Sequence, residues 1–333
     1  RVKGRNNVAV PNPRGTDPTY GGLDNNPNTL YDNYAVTYGS PGRYRFVLDY
    51  FSFSGALTYQ FDNRNGIYVR YSEGKKAPDI TFFTTYDSAA KLATMVPVPQ
   101  NIQQIEAGYK MRGQTVRLSI TPFYSRLSNV GAQEFGTRAD GTTYSPATLF
   151  STTETHGIEI EGDVDFAEIF NFRTALTLQK SKSKGFATYN FGAPGDADDT
   201  VVRVPDGDQD NTPRVMNTST LTVRPNDAFD AGLTWRYMGS RPANRYNAFD
   251  LPAYSEFNLN ATWRATERFT VNASVNNLFN QTGVLAFAPA GSLLSALNRQ
   301  QLTPAQVAGN PNQMFSILEN QPRSMFLTLG YKF

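Results

Sequence analysis

The feature that most limits what this chain can fold into is a two-residue alternation, repeated in short segments. It is clearest in residues 324–333, which read Ser-Met-Phe-Leu-Thr-Leu-Gly-Tyr-Lys-Phe. Met325, Leu327, Leu329, Tyr331 and Phe333 fall on one side of an extended chain. Ser324, Thr328, Gly330 and Lys332 fall on the other, with Phe326 the exception. Successive strand side chains point to opposite faces, so the segment reads as a strand with one apolar face. The pattern recurs upstream in segments of roughly ten residues, the length that a tilted membrane strand needs. The expected fold is all-β: a transmembrane antiparallel up-and-down β-barrel wall, apolar toward lipid and polar toward its lumen.

Composition narrows the choice. No run of about 18 apolar residues exists, which excludes a transmembrane helix. The mean hydropathy of −0.45 does not exclude a membrane barrel, because half of each strand faces water. The 18 Tyr and 23 Phe suit strands and interfacial girdles. With no cysteine, neither a disulfide nor a thiolate metal site can form within the chain. A net charge of +2 is too balanced to point to nucleic acid. At 333 residues the chain exceeds the size at which one soluble core stops growing, about 250–300 residues, whereas a barrel wall escapes that limit.

Residues 1–50 read as a loop segment on the extracellular side, broken by Pro11, Pro13, Gly15, Pro18 and Pro27, with periodicity only near 44–50. Residues 51–333 carry the strands. Phe51 to Phe61 and Ile67 to Tyr71 form a hairpin across Asn63-Arg64-Asn65-Gly66, a turn read as supplying residues with positive φ. Ile105 to Tyr109 and Val116 to Leu127 form the next pair, with a bulge or weak pairing expected at Pro122. Ile158 to Phe166, with Glu159, Glu161, Asp163 and Asp165 on one face, turns back into Phe172 to Leu178. Val215 to Val223, Phe229 to Tyr237, Phe257 to Trp263 and Phe269 to Val275 follow, and then the closing strand.

Short turns and long loops alternate strictly between these segments, the signature of outer-membrane barrels with short periplasmic turns and long external loops. The pattern gives about 11 strands, an odd count where single-chain bacterial barrels have even ones. The chain opens on Arg1 without a charged-then-apolar leader. The expectation is therefore a portion of a barrel.

Chemistry-bearing motifs are few. Asp206, Asp208 and Asp210 have the 1-3-5 spacing of a calcium loop, but Asn211 stands where a Gly is needed and Asn217 where a Glu is. A solvated acidic loop is favoured over a divalent-cation site. His156 is the one histidine, so a transition-metal site is not expected. No Ser-His-Asp set or Gly-rich phosphate loop is recognisable, and the acidic row from Glu159 to Asp165 reads as structural, paired with Arg or Lys of neighbouring strands. The chain is not expected to be an enzyme, and no cofactor is expected. Loop aromatics Phe82, Phe83, Tyr86, Tyr144, Tyr246 and Phe249 could stack on sugars or aromatic chelates, or equally anchor the interface. In the long break 281–322, Ser292 to Gln301 reads as a helical turn or two, and Thr303-Pro304 as N-cap and first residue of a short helix.

Ordered pieces of the sequence resemble TonB-dependent outer-membrane receptors, specifically the C-terminal part of their barrel. These are Tyr68-Val-Arg-Tyr-Ser-Glu-Gly-Lys-Lys-Ala-Pro78, Ile105-Glu-Ala-Gly-Tyr-Lys110, His156-Gly-Ile-Glu-Ile-Glu161, Asn276-Asn-Leu-Phe-Asn280 and the terminal Tyr331-Lys-Phe333. The resemblance implies a barrel of about 22 strands closed by an N-terminal plug. Plug, TonB-contacting box and about half the strands are expected to lie outside this chain. It further implies an outer-membrane location and energised uptake of a scarce solute: siderophore-bound iron, cobalamin or an oligosaccharide. The implied partners are outer-membrane lipid and lipopolysaccharide, the plug and remaining barrel half, and the TonB complex reached through the plug. A last implied partner is the barrel-assembly machinery, engaged through Tyr331 and Phe333. Three rivals stay open: a passive porin-like barrel, an outer-membrane barrel enzyme, and a soluble β-sandwich or propeller.

Overall fold

The computed structural model describes residues 2–8, 42–78, 97–132, 134–137, 139, 143–144, 146–193, 198–289 and 302–333. Its body is one antiparallel sheet whose strands neighbour each other in chain order. They are β1 (Phe53–Gln60), β2 (Asn65–Lys76), β3 (Gln100–Arg112), β4 (Val116–Ala132), β5 (Leu149–Phe166) and β6 (Phe170–Lys184). The path continues through β7 (Val215–Asn226), β8 (Phe229–Met238), β9 (Tyr254–Arg264), β10 (Phe269–Asn276) and β11 (Ser324–Tyr331). Among the described residues β1 and β11 each pair on one side only, so the sheet is an open, partial barrel wall.

Register explains why the alternation matters. Val116, Val164, Phe172, Leu221, Leu233, Leu259, Val275 and Met325 are cross-strand partners in one unbroken row from β4 to β11. One residue along, the row reads Arg117, Asp163, Arg173, Thr220, Thr234 and Asn258. The first row lies on the outer face and the second on the inner. Phe257, Leu259, Ala261 and Trp263 do not enter a dry centre: Leu259 is 38% exposed and Trp263 53%. Trp235 stacks on Phe257 with ring centroids 6.3 Å apart. These apolar side chains face outward because nothing inside the wall offers them a dry environment.

The turns between β1 and β2, β3 and β4, β5 and β6, β7 and β8, and β9 and β10 all lie at one end of the sheet. Each has its own local lock. Asp62 Oδ1 accepts from the backbone N of Arg64 (2.6 Å) and Asn65 (2.8 Å). Gly113 N donates to Val116 O at 2.7 Å. Ala167 and Glu168 take φ of 50° and 60°, and Phe166 and Phe170 stack at 5.3 Å. Asn226 Oδ1 accepts from Ala228 N, and Thr266 Oγ1 from Phe269 N, each at 3.0 Å.

Three sequence expectations are revised, and a fourth holds in one of its two forms. The 63–66 turn contains no positive φ; the Asp62 carboxylate, not backbone handedness, makes it tight. Of the two outcomes expected at Pro122, the locally weak pairing is found and the bulge is not. The ladder between β3 and β4 breaks off between Glu106–Phe123 and Tyr109–Ile120 and resumes in step, while the shift falls later, between Leu127 and Val130, where Asn129 has φ 59°. Several strands outrun their periodic stretch; β5 begins at Leu149 rather than Ile158. Beyond the apolar belt both faces are polar, so pairing continues without alternation. Finally, Val2–Val8 pairs with Gly42–Leu48 inside the segment read as loop, in a ribbon separate from the wall.

The wall's other end carries the long connections, and these are where the dry core lies. Every buried hydrophobic residue among the described ones (Tyr144, Ala187, Val204, Ala243, Leu251, Ala286 and Phe287) belongs to them. Small ribbons organise this layer: Ala187–Asn190 with Thr200–Arg203, Arg241–Pro242 with Asp250–Leu251, and Val284–Pro289 with Phe315–Glu319. Helix α1 (Pro304–Gly309) starts as the sequence indicates. Thr303 caps it through a reciprocal pair of bonds with Gln306, with Pro304 in the first turn. Ser292 to Gln301 lies outside the described residues.

Two outcomes test this architecture. Leu259→Arg should lower unfolding free energy in lipid vesicles by about 2–4 kcal/mol, and the neighbouring inward, exposed Asn260→Arg by far less. Equal losses would mean that both faces see the same medium. The Asp62 carboxylate is held below the usual range, chiefly by the Asn65 side chain and then by the Arg64 backbone N–H. A depressed folded pKa stabilises the hairpin above the unfolded value, about 3.9, and that support vanishes as pH falls through the folded value. The stability gap between the native protein and Asp62→Ala should therefore close on acidification below about pH 4.

Candidate functional site

Two surfaces can meet a ligand: the inner face of the wall and the loop layer above it. On the inner face the four-carboxylate row splits in two. Asp163 lies 3.0 Å from Arg173 and 3.4 Å from Arg117, and Asp165 lies 3.7 Å from Arg117. Asn171 bridges the two carboxylates at 2.8 and 2.7 Å. Glu159 and Glu161 form no ion pair among the described residues and look into open space. Glu161 lines a cavity of about 790 Å³ near the short turns, with Gln60, Lys110, Arg117, Asp163 and Arg173. Glu159 lines a smaller one of about 280 Å³, with Gln104, Glu106, Thr121 and Gln179. The inner face is thus a wet, charged surface with both signs interleaved. No nucleophile–base pair is set into either cavity.

The loop layer is tied by one short segment, from Arg241 to Asn247. Arg241 is 2% exposed; its Nε donates to Asn211 Oδ1 (2.8 Å) and its Nη2 to Val284 O (2.8 Å) and Leu285 O (3.1 Å). Burial lowers its pKa below the usual guanidinium value, and Nη1 has no hydrogen-bond partner among the described residues. Asn244 donates to Leu302 O at 2.8 Å and accepts from the backbone N of Tyr246 and Ala248. Asn247, at φ 50°, accepts from Asp208 N and donates to Asp208 O, both at 2.9 Å. Arg245 donates to Asp210 Oδ1 (3.1 Å) and Ser151 Oγ (3.2 Å), with its guanidinium 4.8 Å from the Phe186 ring centre. Around this hub Phe249, Phe287 and Phe315 pack at 4.9–5.6 Å.

The structure gives several of the sequence candidates partners within the chain. Phe82, Phe83 and Tyr86 lie outside the described residues. Tyr144 is buried, with its hydroxyl on Asp199, and Phe249 packs inside the aromatic cluster, so both hold the layer together. Tyr246 is half-buried, and burial raises the pKa of its phenol. Asp206, Asp208 and Asp210 do not converge: they engage Gly185 N, Arg214 and Arg245 respectively. No group of three metal-ligating side chains occurs among the described residues. His156 is exposed on the outer face. Tyr331 and Phe333 contact each other edge-on at 5.2 Å, both exposed.

Asn277 was the signal missed inside a motif already noticed. Its side chain joins Gln281 O (2.9 Å), Gln281 N (2.9 Å) and Gln321 O (3.0 Å). Its own N–H donates to Asn258 Oδ1 at 2.9 Å, and Asn280 Oδ1 accepts from Arg323 N at 2.9 Å. The Asn-Asn-Leu-Phe-Asn box is therefore the corner where β9, β10 and β11 enter the loop layer. Phe287→Ala should destabilise that layer by about 3–5 kcal/mol. Limited proteolysis should cut the long loops faster while thermal unfolding of the wall stays within a few degrees. Unaltered cleavage would mean that the aromatic cluster does not hold the layer.

Comparison with known proteins places this geometry. Residues 14–278 match the family model described as TonB dependent receptor-like, beta-barrel. No curated protein matches the sequence. The fold is similar to the ferric yersiniabactin uptake receptor FyuA from Yersinia pestis (TM-score 0.59, 14% identity), over 89% of this chain and 39% of that one. It is similar to the ferric-catecholate import receptor Fiu from E. coli K12 (TM-score 0.58, 15% identity), over 98% and 39%. It also resembles the ferripyoverdine receptor of the outer membrane of Pseudomonas aeruginosa (TM-score 0.55, 14% identity), over 90% and 34%. The chain thus spans well under half the length of these structures. The match covers most of the chain and agrees with the partial wall, its turns and its loops: this chain belongs to the TonB-dependent receptor β-barrel family.

Proposed function

We propose that this chain is the C-terminal part of the barrel of an outer-membrane receptor that imports a scarce solute, with ferric siderophores the leading cargo. The observation that carries the reading is the family match laid over a wall whose long connections all gather at one end. Those connections form an ordered layer above a charged inner face, an arrangement suited to capture outside and passage within. The three structural neighbours bear names for iron-chelate uptake, and that supports the cargo class. A passive porin is not favoured. By this reading a plug and TonB coupling are supplied by segments beyond those described. Tyr331 and Phe333 serve as the assembly signal, and uptake needs no catalytic step.

The test is uptake by cells carrying the intact reading frame or its deletion, under iron limitation, with radiolabelled ferric chelates, copper, cobalamin and oligosaccharides. Uptake of one ferric chelate should fall to background on deletion and also on collapse of the inner-membrane proton gradient. Entry that survives loss of the gradient would sink the energised-receptor reading. Dependence of copper, cobalamin or an oligosaccharide alone would replace the cargo.

A further inference from the structure

At the foot of the loop layer the sheet divides, and the division leaves a cavity. The ladder between β6 and β7 ends at Leu178–Val215. Higher up, Lys182 and Ser183 of β6 pair instead with Asp208 and Gly207. The chain between, residues 209–214, is held by backbone bonds on two sides. Gln209 N donates to Ser181 O at 2.9 Å and Gln179 N to Arg214 O at 2.8 Å. Across the gap, Asn211 N donates to Pro242 O at 2.8 Å and Gly239 N to Val215 O at 2.9 Å. These bonds frame a cavity of about 310 Å³. Small-molecule sites run from about 300 to 1,000 Å³, so the space suits a small solute. Lys180 and Tyr237 reach it from outward positions, two residues above Leu178 on β6 and Trp235 on β8.

Two cations and two carboxylates line the cavity: Lys180, Arg214, Asp208 and Asp250. Asp208 and Arg214 are committed to each other. Lys180 and Asp250 form no ion pair among the described residues, and both are exposed. One ammonium and one carboxylate are therefore left facing a shared space. The hydroxyls of Tyr237 and Ser240 also line it and have no hydrogen-bond partner among the described residues. Val215 and Pro242 supply apolar surface beside them. A solute of single charge would pair with one free group and meet the other as a like charge. A phosphate dianion would find one free cation and, beside it, one opposing carboxylate. A molecule with one positive and one negative group matches both.

We propose that this cavity binds a small soluble zwitterion of the α-amino-acid type. Its carboxylate accepts from the Lys180 ammonium, and its own ammonium donates to the Asp250 carboxylate. Ser240 and Tyr237 supply further hydrogen bonds, and Val215 and Pro242 receive a short side chain. Both charged groups are exposed, so the affinity falls at roughly millimolar. The site stands apart from the inner face, and the inference rests neither on the receptor reading nor on its cargo.

The test uses the full-length product of the reading frame in nanodiscs, with glycine, L-leucine and L-glutamine as probes and saturation-transfer NMR as the readout. At least one of the three should bind saturably. Its methyl ester, which lacks the carboxylate, and its N-acetyl form, which lacks the ammonium, should each bind about tenfold or more weakly. Lys180→Gln should abolish the discrimination against the ester alone, and Asp250→Asn the discrimination against the N-acetyl form alone. A merely structural role would move both ratios together. Lys180→Arg should keep both. The blocked probes test the native protein by itself, so a variant that fails to fold does not rescue the proposal. Absence of saturable binding by all three amino acids, or equal binding of the blocked forms, would overturn it. So would tighter binding of phosphoethanolamine than of any amino acid.

Discussion

The structure depends on strand register. Because the side-chain period of a strand is two, a one-residue slip anywhere between β4 and β11 would turn the Val116-to-Met325 row inward and the Arg117-to-Asn258 row outward. In a bilayer the second consequence is the worse one, since it puts guanidinium and carboxylate groups into hydrocarbon. The penalty acts on every strand at once, so the register is over-determined without any packed centre. The locked turns at one end and the Asn277 corner at the other fix the same alignment locally.

The same constraint bears on the edges. Hydrocarbon offers no water to unpaired backbone groups, and each one left bare there costs several kcal/mol. β1 presents Phe53, Leu57 and Tyr59 outward, and β11 presents Leu327 and Leu329, so both edges lie at the height of the belt. The wall described is stable in lipid only when those edges find further strands. The open sheet and the greater length of the similar structures are thus two views of one requirement.

The wall was largely legible in the sequence because its two faces meet different solvents, and solvent contrast is what hydrophobic periodicity records. Leu57, Val69, Leu233 and Leu259 could be assigned faces from alternation alone. The loop layer was opaque for the complementary reason. Arg241, Asn244 and Asn277 hold it through bonds to backbone carbonyls and amides far away in sequence, and neither helical nor strand spacing encodes such bonds. Its aromatic residues were visible, but not which of them pack within the layer. Tyr144 and Phe249 have the chemistry of ligand-stacking groups and are used for packing. The short helix was the exception, because a Thr-Pro start with Gln306 in the third position is a local signal.

That division of labour shapes what a passing solute can meet. The dry aromatic surface of the loop layer is turned in on itself around Phe287. The inner wall offers Glu159, Glu161, Arg117 and Arg173 beside open cavities. Interleaved charges of both signs, already partly paired, hold a polar solute weakly through water-bridged contacts, and weak contacts in series allow release. A tight site on this wall would instead need desolvated, convergent donors, and the strand period sets neighbouring inward side chains about 7 Å apart along each strand. Under the receptor reading proposed above, tight capture would fall to the loop layer, where the chain can bend, and conduction to the sheet beneath it.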